Sequence, residues 1–156
     1  MRITTSLLLI TVITVSAQTR DYPKTPPDKP VHVEGEHQAS DLERAIAPYI
    51  AKARKTYPDA KKRFLAGLPP KYLFSLTTKL WDRSHTKFEI VFVVADKISD
   101  GKVTGHLATH TNQPVGYDFG DRITFPESQV VDWTIVHPDG TEEGNVVGNF
   151  LDTYHG

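Results

Sequence analysis

The run at residues 88–94, FEIVFVV, is apolar at almost every position and restricts the fold more than any other segment of the chain. A strand with one buried face alternates apolar and polar residues, whereas a strand that is apolar throughout has both faces covered. We therefore expect this segment to be a strand at the centre of the core, with other elements packed on both of its faces.

Shorter strands are predicted around this run. Residues 72–80 alternate between apolar and polar side chains, which is typical of a strand with one buried face. The tripeptide Ser-Asp-Gly at residues 99–101 is a hairpin signal, and the chain then returns as a strand through residues 103–109. Residues 112–117 are predicted to form a loop.

The segment 119–148, FGDRITFPESQVVDWTIVHPDGTEEGNVVG, predicts the folding of the C-terminal part. Pro126 ends a strand and begins a one-turn connector through Gln129, and Trp133 lies on the inward face of the next strand. The tetrapeptide His-Pro-Asp-Gly at residues 137–140 has the proline and glycine of a type I turn. Five or six short antiparallel strands are expected, in a small barrel-like sheet of the SH3 kind or, alternatively, in a flat sheet packed on helices.

Two helices are predicted before these strands. The tetrapeptide Ser-Asp-Leu-Glu at residues 40–43 is a capping box, and apolar residues follow it at helical spacing. Pro48 interrupts this stripe, either by kinking one helix or by beginning a second, and Pro58 restarts it before Gly67 ends it. The fold class is therefore α+β, with two N-terminal helices packed on the antiparallel sheet.

The N-terminal segment has the pattern of an export signal. Arg2 precedes an apolar run at residues 7–15, and small residues precede Gln18, so we predict that residues 1–17 are a cleaved signal peptide. A retained membrane anchor is the alternative, but the run is shorter than the ~20 apolar residues that span a bilayer. We expect an exported protein, periplasmic or secreted, with no membrane span after cleavage.

Residues 18–39 are predicted to be a proline-rich flexible tether. Prolines at positions 23, 26, 27 and 30 favour an extended chain. The motif HVEGEH at residues 32–37 could bind a divalent metal through its imidazoles and carboxylates, but a solvated spacer is our interpretation because the segment lacks local rigidity. Residues 40–156 then form a single α+β domain.

Composition excludes several classes of function. The 156 residues are 38% hydrophobic, which suits one small domain, and the absence of cysteine excludes disulfides, thiol nucleophiles and thiolate metal sites. The net charge of −1 gives the molecule no overall field for nucleic acid, although residues 40–71 are basic and the remainder is acidic. We interpret the basic residues as a solvated helix surface, and a basic helical face for an anionic partner is the alternative. We expect no cofactor.

Four side chains are candidate binding residues: Trp81, His85, His106 and His110. Trp81 lies at the end of a predicted strand beside His85, where an exposed aromatic ring could anchor a ligand. On a helix, His106 and His110 could share a metal ion, but on the predicted strand they lie about 13 Å apart. We therefore expect no metal site.

Carboxylates are the other candidates for chemistry. Asp118, Asp121, Glu127 and Asp132 are close in sequence, and glycoside hydrolysis uses two carboxyl groups that face each other. Our interpretation is structural: turn contacts for the first two, and backbone amides donating to Asp132. We assign a structural role to a signature set of residues: Gly120, Asp121, Pro126, Asp132, Trp133, Gly140 and Gly148.

Several segments together resemble a known family. They are AIAPYIAKARKTYPDAKKRFLAGLPP, FSLTTKLWD, KFEIVFVVADKI, GKVTGHLA and GDRITFPESQVVDWTIVHPDGTEEGNVVG, within residues 45–154. This pattern resembles the YegJ-like family of domains of unknown function, the one numbered 2314. The resemblance implies a small α+β domain of bacterial proteins, often exported, with no assigned catalytic residues.

Two functions are compatible with the sequence. The first is a non-catalytic binding or inhibitor-like module in the bacterial cell envelope, held on the tether and using the surface near Trp81 and residues 109–117. The second is a small envelope hydrolase that acts on glycan or cell-wall polymer through a carboxylate pair. For the first, we expect a monomer whose partner is a protein or an envelope polymer, with no nucleic-acid partner.

Overall fold

The computed structural model describes residues 31–33, 36–82, 85, 88–111 and 116–154. The predicted signal peptide and most of the predicted tether lie outside these residues. The elements in chain order are β1 (Val31–Val33), α1 (Glu36–Ala66), β2 (Leu73–Trp81), β3 (Phe88–Ser99), β4 (Lys102–Leu107), β5 (Arg122–Pro126), a one-turn 3-10 helix (Glu127–Gln129), β6 (Asp132–Val136), β7 (Glu142–Gly144) and α2 (Val146–Leu151).

The strands form one antiparallel sheet, so the α+β prediction is confirmed. Its order is β5-β4-β3-β2-β6-β7, and β1 pairs with the first residues of β3. The barrel prediction is not confirmed: the path begins at β5 and ends at β7, and in the described part of the chain these two strands do not pair with each other. The sheet is open, with two separate edges.

The prediction of two N-terminal helices is not confirmed, because α1 is one continuous helix of 31 residues with Pro48 and Pro58 inside it. Each proline removes a backbone hydrogen bond. The apolar stripe nevertheless runs along one face of the whole helix. Leu42 lies before Pro48, Ala53 lies between the two prolines and Ala60 lies after Pro58, and all three are buried. Packing along this stripe outweighs the local cost of the prolines, because tertiary packing of an apolar face supplies most of the stability of a helix in a protein.

The first turn of α1 also differs from the prediction. The helix begins at Glu36, so the capping box at residues 40–43 does not mark its start. The Ser40 hydroxyl instead donates to the carbonyl of His37 at 2.8 Å, an interaction of a serine inside a helix. Strand β1 and this first turn occupy part of the segment that we predicted to be tether.

Strand β3 lies at the centre of the core, as the apolar run predicted. Val91 and Val93 belong to the larger buried cluster, which also contains Trp133. Phe88 and Ile90 point to the opposite face of the strand and belong to a second cluster. The second cluster is completed by residues of α1 and α2, including Leu42, Ile46 and Val147. Both faces of β3 are therefore covered.

Candidate ligand-binding groove

A groove of about 790 Å³ opens where the C-terminal end of α1, its connection to β2 and the last residues of β3 meet. Of the large apolar side chains around it, Leu65 is the most exposed, at 58%. The lining residues are Phe64, Leu65, Gly67, Leu68, Lys71, Tyr72, Leu73, Phe74, Val94, Ala95, Asp96, Lys97 and Ile98.

The groove exists because β2 and β3 begin and end at different levels of the sheet. The pairing of β2 with β3 ends at Ser75↔Val94, whereas the pairing of β3 with β4 continues to Ser99↔Lys102. Residues 95–99 of β3 therefore lie beyond the last residue pair with β2, and we call them the overhang; Phe74 and Leu73 of β2 are level with its first two residues, and residues 97–99 extend past β2. A β-bulge at Asp96 shifts the β3–β4 register, and a bulge bends its strand and increases its twist.

The connection from α1 to β2 forms the opposite wall. Gly67, with a φ of 95°, ends the helix and donates from its amide to the carbonyl of Phe64 at 3.0 Å. A turn follows, in which the amide of Tyr72 donates to the carbonyl of Pro69 at 3.2 Å. The rings of Phe64 and Phe74 stack at 5.0 Å and give the groove an apolar floor.

Charged groups lie at the rim. Lys71 and Lys97 line the groove and are exposed. Asp96 also lines the groove, and its Oδ2 is 2.9 Å from Nδ1 of His106 on β4. Of the predicted binding residues, His106 is thus the one that contacts the groove lining. The lining thus carries two exposed ammonium groups and one carboxylate, which contacts His106.

Trp81 and His85 lie at the opposite end of β2 from the groove. Trp81 ends β2 and is 38% exposed, and its ring lies 6.0 Å from that of His85 and 4.8 Å from that of Phe88. Trp81 is thus a partly exposed aromatic side chain at the far end of β2, and it does not line the groove.

His110 lies in a loop, which corrects the prediction that it continues the strand of His106. β4 ends at Leu107, and shortly after it the Thr109 hydroxyl accepts the hydrogen bond of the Phe92 amide at 2.9 Å. His110 then contacts Asp118 at 3.2 Å and stacks on Phe119 at 5.0 Å. His106 and His110 thus contact different carboxylates and do not form one site.

The four candidate carboxylates are used in separate contacts. Asp121 accepts a hydrogen bond from the amide of Asp118 at 2.9 Å, which confirms a turn contact around Gly120. Glu127 accepts from the Tyr57 hydroxyl at 3.0 Å and from Nζ of Lys61 at 2.6 Å. Burial and the neighbouring Glu127 raise the pKa of Tyr57 above its ordinary value, so the phenol stays protonated and donates.

Asp132 holds the start of α2. Its carboxylate is buried and accepts hydrogen bonds from the amides of Trp133 and Val147. The prediction that backbone amides donate to this residue is confirmed. Burial raises the pKa of Asp132 to about 6, because the loss of hydration outweighs the stabilisation of the carboxylate by the amides.

The other signature residues also make internal contacts. The indole Nε1 of Trp133 lies 3.2 Å from the Ala53 carbonyl and 3.0 Å from the Thr56 hydroxyl, which ties β6 to α1. A Cβ on Gly148 would lie 2.0 Å from Oδ1 of Asn145. The amide of Gly140 donates to the carbonyl of His137 at 3.0 Å and closes the predicted turn. Pro126 is the last residue of β5.

A second charged cluster, beside the groove residue Tyr72, was missed by the sequence analysis. Arg63 donates two hydrogen bonds to Glu143 at 2.7 and 2.8 Å, and His137 lies 2.8 Å from the same carboxylate. Arg63 and His137 lower the pKa of Glu143 to about 2. The ring of His137 packs 4.6 Å from that of Tyr72. Arg63 and Glu143 are 80 residues apart, and no local pattern marks them as partners.

Among the residues that the structure describes, no group of three or more His, Asp or Glu side chains lies close enough together to hold a metal ion. None of the helices described has the length and apolar character needed to cross a membrane.

Comparison with known proteins found no matching family model, no matching curated protein and no matching solved structure. The resemblance to the YegJ-like family therefore stays a prediction from the sequence.

Proposed function

We propose that the protein is a non-catalytic binding module of the bacterial cell envelope, and that the groove at the end of α1 holds its ligand. The observation that carries this proposal is the groove itself, which has a volume of about 790 Å³ and the apolar side chains of Leu65, Leu68 and Tyr72 in its lining. An apolar depression with a few charged groups at its rim is the usual form of a ligand site.

The exposure of Leu65 supports the same assignment. Its side chain is 58% exposed at the mouth of the groove, although burial of a leucine stabilises a protein by about 1.5–3 kcal/mol. A ligand that covers it would recover part of that free energy. The neighbouring ring stack of Phe64 on Phe74 makes the floor rigid, so little ordering is needed when a ligand binds.

The contacts of the carboxylates favour this function over hydrolysis. Asp121 and Asp132 accept hydrogen bonds from backbone amides, and Glu127 is held by Tyr57 and Lys61. Among the described residues that line the groove, Asp96 is the single carboxylate. Asp121, Asp132 and Glu127 are thus engaged in contacts within the fold, whereas glycoside hydrolysis needs two carboxyl groups that face each other across a substrate.

The sequence supports the location in the envelope. The signal pattern at residues 1–17 directs export, and the prolines after it give the domain an extended tether. The exported protein acts as a monomer, and its partner is a protein or an envelope polymer.

The test is capture by the exported protein from bacterial envelope extract, together with co-sedimentation with cell-wall polymer. Leu65→Ser changes the groove and Ala51→Ser is the matched control, because residue 51 is exposed on the same helix outside the groove. Trp81→Ala tests the surface at the other end of β2. We expect Leu65→Ser to weaken binding at least about tenfold, since a buried leucine contributes 1.5–3 kcal/mol.

Three results decide the proposal. Capture that is lost in Leu65→Ser and kept in Ala51→Ser and Trp81→Ala supports it. Capture that Leu65→Ser leaves unchanged contradicts the groove as the site. Release of soluble glycan fragments from cell-wall polymer by the purified protein contradicts a non-catalytic function.

A further inference from the structure

We infer that the groove binds an extended peptide, which adds as a strand to the overhang of β3 at residues 95–99 and carries acidic side chains toward the rim. This inference rests on the proposed function, because it names the chemistry of the ligand in the same groove. The peptide would contact the backbone of the overhang, the apolar floor and the charged rim.

The backbone of the overhang is suited to pairing with another strand. β4 covers one side of β3 as far as Ser99, whereas the pairing of β2 on the other side stops at Val94. In an antiparallel sheet, alternate residues direct their N–H and C=O groups to opposite neighbours. The bulge at Asp96 interrupts this alternation, which resumes over residues 97–99. There, the N–H and C=O groups that face away from β4 are directed to the position of an added strand, where a peptide can form main-chain hydrogen bonds.

The position of the overhang defines how such a peptide lies. An added strand continues the line of β2 beyond Leu73, because both would occupy the same side of β3. Its side chains then alternate between the two faces of the sheet. Those on one face meet the floor formed by Phe64, Leu68 and Phe74, so apolar residues at alternate positions of the peptide are favoured.

The rim selects the charge of the peptide. Lys71 and Lys97 are exposed in the groove lining, and within the described residues neither ammonium group lies in an ion pair. Lysines and bulges on a strand edge discourage indiscriminate pairing with other chains. A peptide with carboxylates opposite the two lysines overcomes this barrier, whereas a basic peptide is repelled.

A peptide fits these features better than a lipid or a glycan. A lipid chain would fill the apolar floor but would give no hydrogen bonds to the overhang. A glycan would offer hydrogen bonds but few apolar groups for the floor. The combination of a strand edge with an apolar pocket is the arrangement by which proteins recognise extended peptides.

The experiment uses fluorescently labelled eight-residue peptides and the exported protein. The first peptide alternates Leu and Thr and carries Glu near one end, and the second replaces Glu by Lys. Two further peptides are versions of the first that are N-methylated at alternate residues, one version for each edge of the strand. Dissociation constants are measured by fluorescence anisotropy, and the amides of residues 95–99 are followed by NMR.

The acidic peptide is expected to bind at least about fivefold more tightly than the basic one, and more weakly as salt is added. N-methylation of the edge that faces β3 is expected to weaken binding at least about tenfold, because it removes several main-chain hydrogen bonds. Methylation of the other edge is expected to have little effect.

Protein variants test the rim independently of the fold. Lys71→Glu and Lys97→Glu are expected to reverse the preference between the acidic and the basic peptide. Lys52→Glu is the matched control, because this lysine is exposed on α1 and does not line the groove. If Lys71→Glu and Lys97→Glu still prefer the acidic peptide, the two lysines do not select the charge of the peptide.

Equal binding of all four peptides would overturn the inference, and so would NMR shifts confined to residues outside the groove. The failure of the inference is distinguishable from that of the proposed function. If the peptides do not bind but Leu65→Ser still abolishes capture from envelope extract, the groove binds a ligand of another class and the peptide inference is wrong. If Leu65→Ser also leaves capture unchanged, the proposed function is wrong as well.

Discussion

The segment 130–148 and the groove at the end of α1 use their side chains in opposite ways. In the segment, Trp133 and Asp132 are buried and their polar atoms are occupied by groups of the same chain. In the groove, Leu65 and the two lysines of the rim are exposed, and the end of β3 extends past its neighbour β2. The first region holds the fold together, whereas the second is the surface at which we propose that another molecule binds.

If the groove is the binding surface, the most conspicuous residues of the sequence are poor guides to it. Tryptophan and aspartate attract attention in a sequence because each can serve binding or catalysis. Here Asp132 fixes the first turn of α2, and Trp133 links β6 to α1. The concave surface is lined by ordinary residues of a helix end and a strand end, such as Leu65 and Lys97.

The largest effect expected is the loss of stability in Trp133→Ala. The substitution empties a buried site in the main core and removes the contacts of the indole Nε1 with Ala53 and Thr56. We expect the free energy of unfolding to fall by about 3–5 kcal/mol, measured by urea denaturation. Trp81→Ala is the control, with an expected loss of about 1 kcal/mol because Trp81 is 38% exposed. An equal loss of unfolding free energy in both variants would contradict the assignment of Trp133, rather than Trp81, as the tryptophan that holds the fold together.

A smaller effect is expected in the pH dependence of Asp132. Because burial raises its pKa in the folded state to about 6, from an ordinary 3.8, the contribution of Asp132 to stability is full below about pH 4 and is lost as pH rises through 6. The amide side chain of the variant Asp132→Asn does not titrate, so this variant lacks that pH dependence.

The difference in unfolding free energy, wild type minus Asp132→Asn, is therefore expected to fall by about 2–3 kcal/mol between pH 4 and pH 7. Urea denaturation of both proteins at each pH unit measures it. A difference that increases with pH would show that the amides of α2 outweigh burial, and that Asp132 is a charged cap.

Arg63→Ala is expected to cost at most about 1 kcal/mol. Its two hydrogen bonds to Glu143 are well formed, but the Arg63 and Glu143 side chains are 46% and 37% exposed, and solvent screens such pairs. Chemical denaturation in low and high salt measures the effect, which should shrink as salt is added. A loss above about 2 kcal/mol would show that this partly exposed ion pair stabilises the fold far more than solvent-screened pairs do.

The smallest effect on stability is expected for Leu65→Ser, at about 0.5 kcal/mol or less. Leu65 is exposed, so the substitution changes helix propensity and little packing. Urea denaturation beside wild type and Ala51→Ser measures it. A loss above about 1.5 kcal/mol would mean that Leu65 supports the core, and would argue against the groove as a surface that is free to bind another molecule.

Much of the sheet could be predicted because its signals are local. The apolar run in β3, the hairpin before β4, the one-turn connector after Pro126 and the buried position of Trp133 all follow from short patterns. The amide contacts of Asp132 could also be anticipated, since a carboxylate at a strand end commonly finds such partners. The turn at residues 99–101 has positive φ at both Asp100 and Gly101, as a tight hairpin requires.

The groove could not be predicted, because it depends on where two strands stop relative to each other. No short sequence pattern in either strand marks Ser75↔Val94 as the last pair of β2 and β3. The continuity of α1 was missed for a related reason: Pro48 is a strong local signal against a helix, but the buried stripe on both sides of it decides the outcome. Open or closed pairing of the sheet edges is likewise a non-local property.

The most direct test of this account is photo-crosslinking of the exported protein in a bacterial envelope. A photoactivatable phenylalanine analogue replaces Leu65, Trp81 or Ala51 in three separate variants, and crosslinked products are detected after irradiation. We predict a defined product from position 65 and none from position 51 or position 81. A product from position 81 without one from position 65 would contradict the account and return the working surface to the exposed end of β2.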